Sequence, residues 1–357
     1  MEVNAKSGLL IPEDINQWRK WQQSVGEFRN LKRLAKRVSL NSVKHNAPSH
    51  ETVFVNRRRG EGAQALVALD SANITSLKSL IDPLEFVANP VVVISTMDVH
   101  QLLPGEEWTV EEVDISQALS TISPRLIISA GHYLMLGALT FKMAQELKVP
   151  YAVSQHGLIT PFAPPLPSNS HLLAFSQADA EFWISGRSDL TYDVVGSQLF
   201  WEAAQKPKVE LPEEEQQPIF LGQMHGAELP RRSYARAGFQ FCQQTGARYR
   251  PHPNEKDKLS VLTHALWEKM GIAIDRGGEP LNTLTNPVVS IFSTGVLEAA
   301  IRGVPAWVYH PNPPAWVQEF WERYGLHQWE DTPTPAPAVP AVPPAQVIAA
   351  YLEEKLQ

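Results

Sequence analysis

Short apolar blocks alternate with longer amphipathic stretches along most of this sequence. The first half contains six blocks of strand length, at residues 52–55, 65–69, 91–95, 126–129, 151–154 and 172–175. Several of these blocks are apolar throughout, which is typical of parallel strands covered by helices on both faces. Residues 133–147 have helical length, and the return to a strand at 151–154 completes a βαβ unit. The pattern predicts a doubly wound α/β domain with a parallel sheet.

A second series of alternating elements follows a polar, acidic and proline-dotted stretch. Its predicted strands are residues 219–221, 247–250, 288–292 and 306–309, and its predicted helices are 232–243, 259–269 and 295–302. We therefore predict an α/β protein with two Rossmann-like doubly wound domains facing a cleft. The expected boundaries are a first domain at 1–201, a linker at 202–217, a second domain at 218–331, a proline-rich strap at 332–345 and a terminal helix at 346–357. Ligands of such sheets bind at the carboxyl ends of the strands.

Composition excludes several functional classes. The chain has 357 residues, with 31 Lys plus Arg against 38 Asp plus Glu, and its net charge of −7 argues against a general nucleic-acid binder. Cys242 is the only cysteine, so an internal disulfide and a cysteine-rich zinc site are excluded, and we expect it in the core on a helix face. No apolar run reaches the ~18–20 residues of a membrane span, and the start lacks the order of a secretory signal. A cytoplasmic protein is expected.

The segment YRPHPNEKD holds a histidine rigidly at the end of a predicted strand. Pro251 and Pro253 fix their own backbone angles and restrict the residues before them, so the direction of the His252 imidazole has little freedom. Together with Arg250, this side chain could bind a phosphate, because imidazole N–H and guanidinium groups both complement an oxyanion. The alternative is a turn whose histidine satisfies local backbone groups.

A second candidate anion site lies in SIFSTGVLEAAIRGVP. The predicted strand ends at Phe292, and Ser293 and Thr294 then offer hydroxyl groups at the start of a helix. Gly295 would let a ligand approach the free N–H groups of the first helical turn. Glu298, one turn further on, could accept hydrogen bonds from ribose hydroxyls. Helix capping alone would also explain Ser293 and Thr294.

Other strand ends carry further candidates. Gly222 and Gln223, in FLGQMHG, form a turn at the head of the second domain. In the first domain, His156 in SQHGL is the expected general base, because histidine titrates near neutrality and the following glycine leaves room for a substrate. His132 in SAGHY competes for that role, and Asp98 is a weaker carboxylate candidate. A structural histidine is the alternative for His156.

The order of the motifs QHG, AFSQADAEFW, VVGSQLF, IFLGQ, YRPHP and SIFSTGVLEAAIRGVP, over residues 151–310, resembles the GT-B-fold glycosyltransferases. The resemblance is strongest to bacterial surface-polysaccharide enzymes with HP and Ser/Thr motifs, namely sialyl-, polysialyl- and Kdo transferases and CDP-glycerol glycerophosphotransferases. It implies that His252, Ser293 and Thr294 bind the phosphate of a CMP-, CDP- or UDP-linked donor in the second domain. It also implies an acceptor domain before residue 201, a glycan or glycolipid acceptor of the capsule or cell envelope, and no bound cofactor or metal.

The sequence departs from this pattern in one respect. The acidic pair that serves as catalytic base in polysialyltransferase-like enzymes has no match, since GEEW at residues 105–108 has a different residue order. Two alternatives therefore stay open, an isomerase similar to UDP-N-acetylglucosamine 2-epimerase and a catalytically inactive GT-B protein that binds a nucleotide sugar. The basic stretch at 29–37 is either a solvated helix face or a contact for an anionic acceptor or a membrane surface. A peripheral contact at the inner face of a membrane is thus an added expectation.

Overall fold

The computed structural model describes residues 8–27, 52–60, 64–105, 107–211, 216–277 and 284–357. The chain divides into two compact units. The N-terminal unit consists of Gly8–Leu199 with Pro340–Gln357, and the C-terminal unit of Phe200–Val339. The basic stretch at residues 29–37 lies outside the described residues.

The described part of the N-terminal unit contains an eight-stranded sheet. Its strands are β1 (Thr52–Arg58), β2 (Ala65–Leu69), β3 (Val91–Ser95), β4 (Trp108–Asp114), β5 (Leu126–Ser129), β6 (Tyr151–Ser154), β7 (His171–Ala174) and β8 (Thr191–Val194). The order is β4-β1-β3-β2-β5-β6-β7-β8, and β3, β2 and β5 to β8 are parallel. The predicted parallel sheet is present, but the prediction was wrong for β1, which is antiparallel to both β3 and β4. The short connection between Arg58 and Ala65 leaves no room for a crossover helix, so β2 runs opposite to β1. Because β2 is parallel to β3, β1 is antiparallel to β3.

Helices cover both faces of this sheet. They are α1 (Ile15–Glu27), α2 (Ile74–Leu80), α3 (Ile115–Thr121), α4 (Met135–Leu147), α5 (Gln177–Ile184) and the last helix, α11 (Pro344–Leu356). Along β2, Leu66 and Ala68 face one apolar cluster while Val67 and Leu69 face the other, as the two-residue repeat of a strand requires. The last helix belongs to the second cluster and begins at Pro344, two residues before its predicted start.

The described part of the C-terminal unit contains a smaller, fully parallel sheet. Its strands are β9 (Ile219–Leu221), β10 (Arg248–Arg250), β11 (Val288–Ser290) and β12 (Ala306–Val308), in the order β10-β9-β11-β12. Its helices are α7 (Arg231–Thr245), α8 (Lys258–Lys269), α9 (Thr294–Ile301) and α10 (Ala315–Arg323). Helix α6 (Gln198–Gln205) spans the unit boundary and occupies the start of the predicted linker. Strand β11 is shorter than predicted, because the N–H of Phe292 donates to the Gln223 side chain instead of continuing the ladder.

Large aromatic side chains fill the core of this unit. Trp316 and Trp321 are buried, and the indole N–H of Trp321 donates to the carbonyl of Ile291. Trp307 and Trp329 meet edge to face with ring centroids 5.0 Å apart. These contacts give the tryptophans near the end of the chain a packing role. No helix in the described part of the chain has the length and apolar character needed to cross a membrane.

Candidate functional site

The carboxyl ends of the C-terminal strands meet at one edge of the sheet, because all four strands are parallel. Each strand is followed within a few residues by a side chain that can donate a hydrogen bond. These are His225 after β9, His252 after β10, Ser293 after β11 and His310 after β12. We call this set the histidine edge. Parallel α/β sheets bind their ligands at this position.

The orientation and tautomer of His252 are set by its own turn. Its Nδ1 accepts a hydrogen bond from the N–H of Asn254 at 3.1 Å, so the neutral ring carries its proton on Nε2. The ring is half-buried, and burial lowers its pKa, with nearby Glu255 acting in the opposite direction. His252 therefore offers a neutral N–H donor near pH 7, while Pro253 beside it is exposed.

His225 stacks on His252. The two ring centroids are 3.8 Å apart and the rings are inclined by 21°. An anion that contacts the Nε2 atom of His252 would therefore also lie close to a second imidazole. Sequence reasoning missed His225, although its place before Gly226 in the turn after β9 matches that of His156 before Gly157 in the turn after β6.

A buried carboxylate connects the loops that carry these two histidines. Glu255 accepts hydrogen bonds from the N–H of Met224 at 2.9 Å, the hydroxyl of Tyr249 at 3.0 Å and Nε2 of His264 at 3.1 Å. The N–H of Glu255 itself donates to the carbonyl of His252 at 2.8 Å. Burial, followed by the charge of Glu255, raises the pKa of Tyr249, so the phenol stays protonated and remains a donor.

The structure gives Gly222, Gln223 and Arg250 supporting contacts at this edge. A Cβ on Gly222 would lie 2.3 Å from the Tyr249 hydroxyl. The glycine is therefore needed because a larger residue would clash with the buried Tyr249 side chain. The side-chain oxygen Oε1 of Gln223 accepts from the Ser290 hydroxyl at 3.0 Å and from the N–H of Phe292 at 3.1 Å, which ties the turn after β9 to the end of β11. The Arg250 guanidinium lies 4.0 Å from the Asp275 carboxylate. Their predicted contacts with a ligand remain predictions.

Helix α9 begins at this edge with a side-chain cap. The hydroxyl of Ser293 accepts from the N–H of Gly295 at 3.2 Å, and the half-buried side chains of Ser293 and Thr294 flank the helix start. Thr294 donates to the carboxylate of Glu298, whose pKa is raised by burial in spite of that bond. The N-terminus of a helix carries a partial positive charge, so this end of α9 favours an anion.

His310 repeats the turn of His252 at the other side of the sheet. Its Nδ1 accepts from the N–H of Asn312 at 3.2 Å, and its Nε2 lies 2.8 Å from the hydroxyl of Ser233 at the start of α7. His310 was not among the predicted site residues, although the sequence carries a signal for it, since His-Pro-Asn occurs at residues 252–254 and again at 310–312. The same local geometry thus places an imidazole on both outer strands of this sheet.

The N-terminal unit brings three polar side chains together at its own strand ends. Nε2 of His156 lies 3.4 Å from the Tyr133 hydroxyl, and burial lowers the pKa of His156. Burial, with the charge of Asp70, raises the pKa of Tyr133 to about 12. Asp70, which sequence reasoning missed, accepts from the N–H groups of Leu136 and Gly137 at 2.8 and 2.9 Å, and burial raises its pKa. His156 and Tyr133 are therefore a candidate acid/base pair beside the half-buried carboxyl of Asp70.

The other two predicted site residues of this unit, His132 and Asp98, make contacts typical of structural residues. His132 is nearly buried, its ring meets Phe141 edge to face, and its Nδ1 has no hydrogen-bond partner among the described residues. Burial, with smaller contributions from the Arg19 and Arg187 charges, lowers the pKa of His132 to about 4. Asp98 is exposed and accepts from the N–H of His100 at 2.9 Å, at the start of a short 3₁₀ turn. These contacts favour His156 over His132 and Asp98 as the candidate general base.

No protein-family model and no curated protein matches this chain. Among solved structures, it is similar to the UDP-GlcNAc 2-epimerase of Methanocaldococcus jannaschii, in complex with UDP-GlcNAc and UDP, at 14% identity over 82% of this chain and 99% of that one, with a TM-score of 0.51. The glycosyltransferase of kitacinnamycin matches 84% of this chain and 92% of its own at 13% identity and a TM-score of 0.41. The β-Kdo 2,4-transferase KpsC of Thermosulfurimonas dismutans matches 80% and 89% at 12% identity and a TM-score of 0.32.

At these identities the likeness concerns the fold alone. Two α/β units, each built on parallel strands and helices, give this chain the GT-B-type fold that its sequence predicts. Nothing in the described residues forms a cluster of three or more histidine, cysteine, aspartate or glutamate side chains arranged to hold a metal ion.

Proposed function

We propose that this chain is a glycosyltransferase that moves a sugar, or a polyol phosphate, from a nucleotide-activated donor to a hydroxyl group of a cell-surface glycan or glycolipid. The donor is CMP-, CDP- or UDP-linked, and the histidine edge of the C-terminal unit binds its phosphates. The acceptor is bound by the N-terminal unit, at the inner face of the membrane.

The observation that carries this proposal is the set of four hydrogen-bond donors at one sheet edge. A Nε2–H group on His252, the stacked ring of His225 and the capped start of α9 all favour an oxyanion. When the bond to the sugar breaks, negative charge develops on the leaving phosphate. Donors that are already held in place stabilise that charge without reorganising, which is the usual electrostatic contribution to such catalysis.

His156 is the proposed general base. Its lowered pKa keeps the ring neutral and able to accept a proton near pH 7, and its Nε2 already lies within 3.4 Å of a hydroxyl, that of Tyr133. An acceptor hydroxyl that lies in place of the Tyr133 hydroxyl, or beside it, would contact the same atom, Nε2 of His156. Replacing His156 by glutamine should therefore lower turnover strongly and leave nucleotide affinity unchanged.

Turnover of nucleotide sugars tests the reaction class. Purified protein is incubated with CMP-, CDP- and UDP-linked sugars, with and without glycan and glycolipid acceptors, and both the released nucleotide and the remaining sugar are quantified. A transferase consumes its donor at a useful rate only with an acceptor present, and His252→Ala abolishes the reaction. Interconversion of the sugar without an acceptor would establish an isomerase instead, and binding without turnover in any mixture would establish a nucleotide-sugar-binding protein.

A further inference from the structure

Helix α8 exposes an unusually regular apolar surface. Leu259, Leu262, Leu266 and Met270 follow one another at intervals of three and four residues, which places them on one face of the helix. Each of these side chains is between 54% and 66% exposed. Single exposed leucines are common on proteins, but three leucines and a methionine in one line mark an interaction surface. We call this set the α8 stripe.

The opposite side of α8 already has a partner. Ser260, His264 and Trp267 are buried, and His264 contacts the buried carboxylate of Glu255. The helix is therefore anchored to its unit by one face while the α8 stripe remains unoccupied in the described residues. Val261 is also exposed, at 56%, but lies about 145° around the helix from the centre of the stripe.

Lysines border the α8 stripe. At about 100° per residue, Lys258 and Lys269 lie within roughly 40° of Leu262, and Lys256 stands just before the helix. None of these three lysines takes part in an ion pair in the described part of the chain, whereas the neighbouring acidic side chains do. Asp257 pairs with Arg231, and Glu268 pairs with Arg276. The surface around the stripe is thus positively charged although the whole chain carries −7.

We propose that the α8 stripe docks the C-terminal unit on an anionic lipid bilayer. A helix with leucines on one face and lysines along its border lies in the plane of a membrane, with the leucines in the acyl boundary and the lysines at the lipid phosphates. The lysines favour a bilayer over a second copy of this chain. In an antiparallel pair of stripes, Lys258 of one copy would approach Lys269 of the other, and like charges would repel.

The docking surface is continuous with the histidine edge. The loop that carries His252 runs directly into α8, and Asp257 caps the helix by accepting from the N–H groups of Leu259 and Ser260. Docking on a bilayer rests on the proposed function, in which the acceptor is bound at the inner face of the membrane. Lipid binding and nucleotide binding are measured separately, so either can fail without the other.

Vesicle flotation with the full chain tests the inference. The protein is mixed with phosphatidylcholine vesicles that either contain or lack phosphatidylglycerol, and the fraction that floats gives the partition coefficient. We expect binding only with phosphatidylglycerol present, and weaker binding as salt is added. Leu262→Gln with Leu266→Gln should weaken partitioning at least about tenfold. Lys258→Gln and Lys269→Gln should each weaken it about fivefold.

The matched control is Val261→Gln, which removes a similarly exposed apolar side chain from the same helix and should leave partitioning unchanged. Circular dichroism verifies that each variant is folded, and calorimetry verifies that the Leu262→Gln, Leu266→Gln variant retains the nucleotide affinity of the parent. Equal binding to both kinds of vesicle, no binding to either, or an equal loss in Val261→Gln would overturn the proposal. A dimer in sedimentation that the leucine substitutions dissociate would overturn it as well, in favour of self-association.

Discussion

Replacing Glu255 by leucine should loosen the loop after β9 and weaken the histidine edge. The leucine side chain has a similar size but cannot accept hydrogen bonds from the Met224 N–H, the Tyr249 hydroxyl or His264. A buried donor left without its acceptor costs about 1–3 kcal/mol. If the Met224 amide opens locally, its hydrogen exchange should become about 5- to 150-fold faster. Nucleotide affinity should fall with it, because this loop carries His225.

Hydrogen exchange followed by mass spectrometry measures this effect on the peptides that cover residues 220–229. Glu268→Leu is the matched control, since Glu268 lies in the same unit, is exposed and pairs with Arg276 at the surface. That control should leave the exchange of Met224 unchanged. If Glu255→Leu protects the Met224 amide as well as the parent does, the carboxylate does not hold the loop and its positioning role is refuted.

Three further predictions concern stability and reactivity. The pKa of His132 is about 4 in the folded chain against 6.5 when unfolded, so about 3 kcal/mol of stability should be lost as the pH falls from 6.5 to 4. Urea unfolding at a series of pH values should show this loss, and His132→Gln should reduce it. Gly137→Ala would place a Cβ 1.9 Å from the carbonyl oxygen of Gly131, and urea unfolding should show a loss of stability of about 1–3 kcal/mol or more. The control Gly157→Ala places its Cβ in open space and should leave the free energy of unfolding unchanged. Cys242 is buried and its pKa is raised to about 12, so a thiol reagent should label it only after unfolding. Rapid labelling of the native protein would contradict its burial.

The central strands could be predicted from the sequence because nearly all of their residues are apolar. The predicted bounds of β2, β3, β5, β6 and β9 are those of the structure. The pattern failed at the edges of the large sheet, where β4 and β8 are mostly exposed and contain too few apolar residues to form an apolar block. Edge strands are solvated on more than one side, so nothing in their composition separates them from a loop.

The candidate site was predictable only where a single turn defines it. His252 and Ser293 were identified because local proline and capping patterns fix their geometry. Glu255 carries no such local signal in the sequence, yet it is buried by contacts with the loop after β9 and with α8. His225 was missed for the same reason, because its stacking on His252 joins two strands that are far apart in sequence. Sequence patterns report local geometry, whereas these contacts depend on which strands become neighbours.

A calorimetric titration with CMP, CDP, UDP and GDP tests the central claim most directly. It is made on the parent chain, on His252→Ala and on His171→Ala, a control histidine of the N-terminal unit that bonds to Thr191 and Asp193. The account predicts that one nucleotide binds tightly, that His252→Ala weakens it by at least about 1.4 kcal/mol, a factor of ten, and that His171→Ala leaves it unchanged. Absence of binding by all four nucleotides, or equal affinity in His252→Ala, would contradict the phosphate role of the histidine edge.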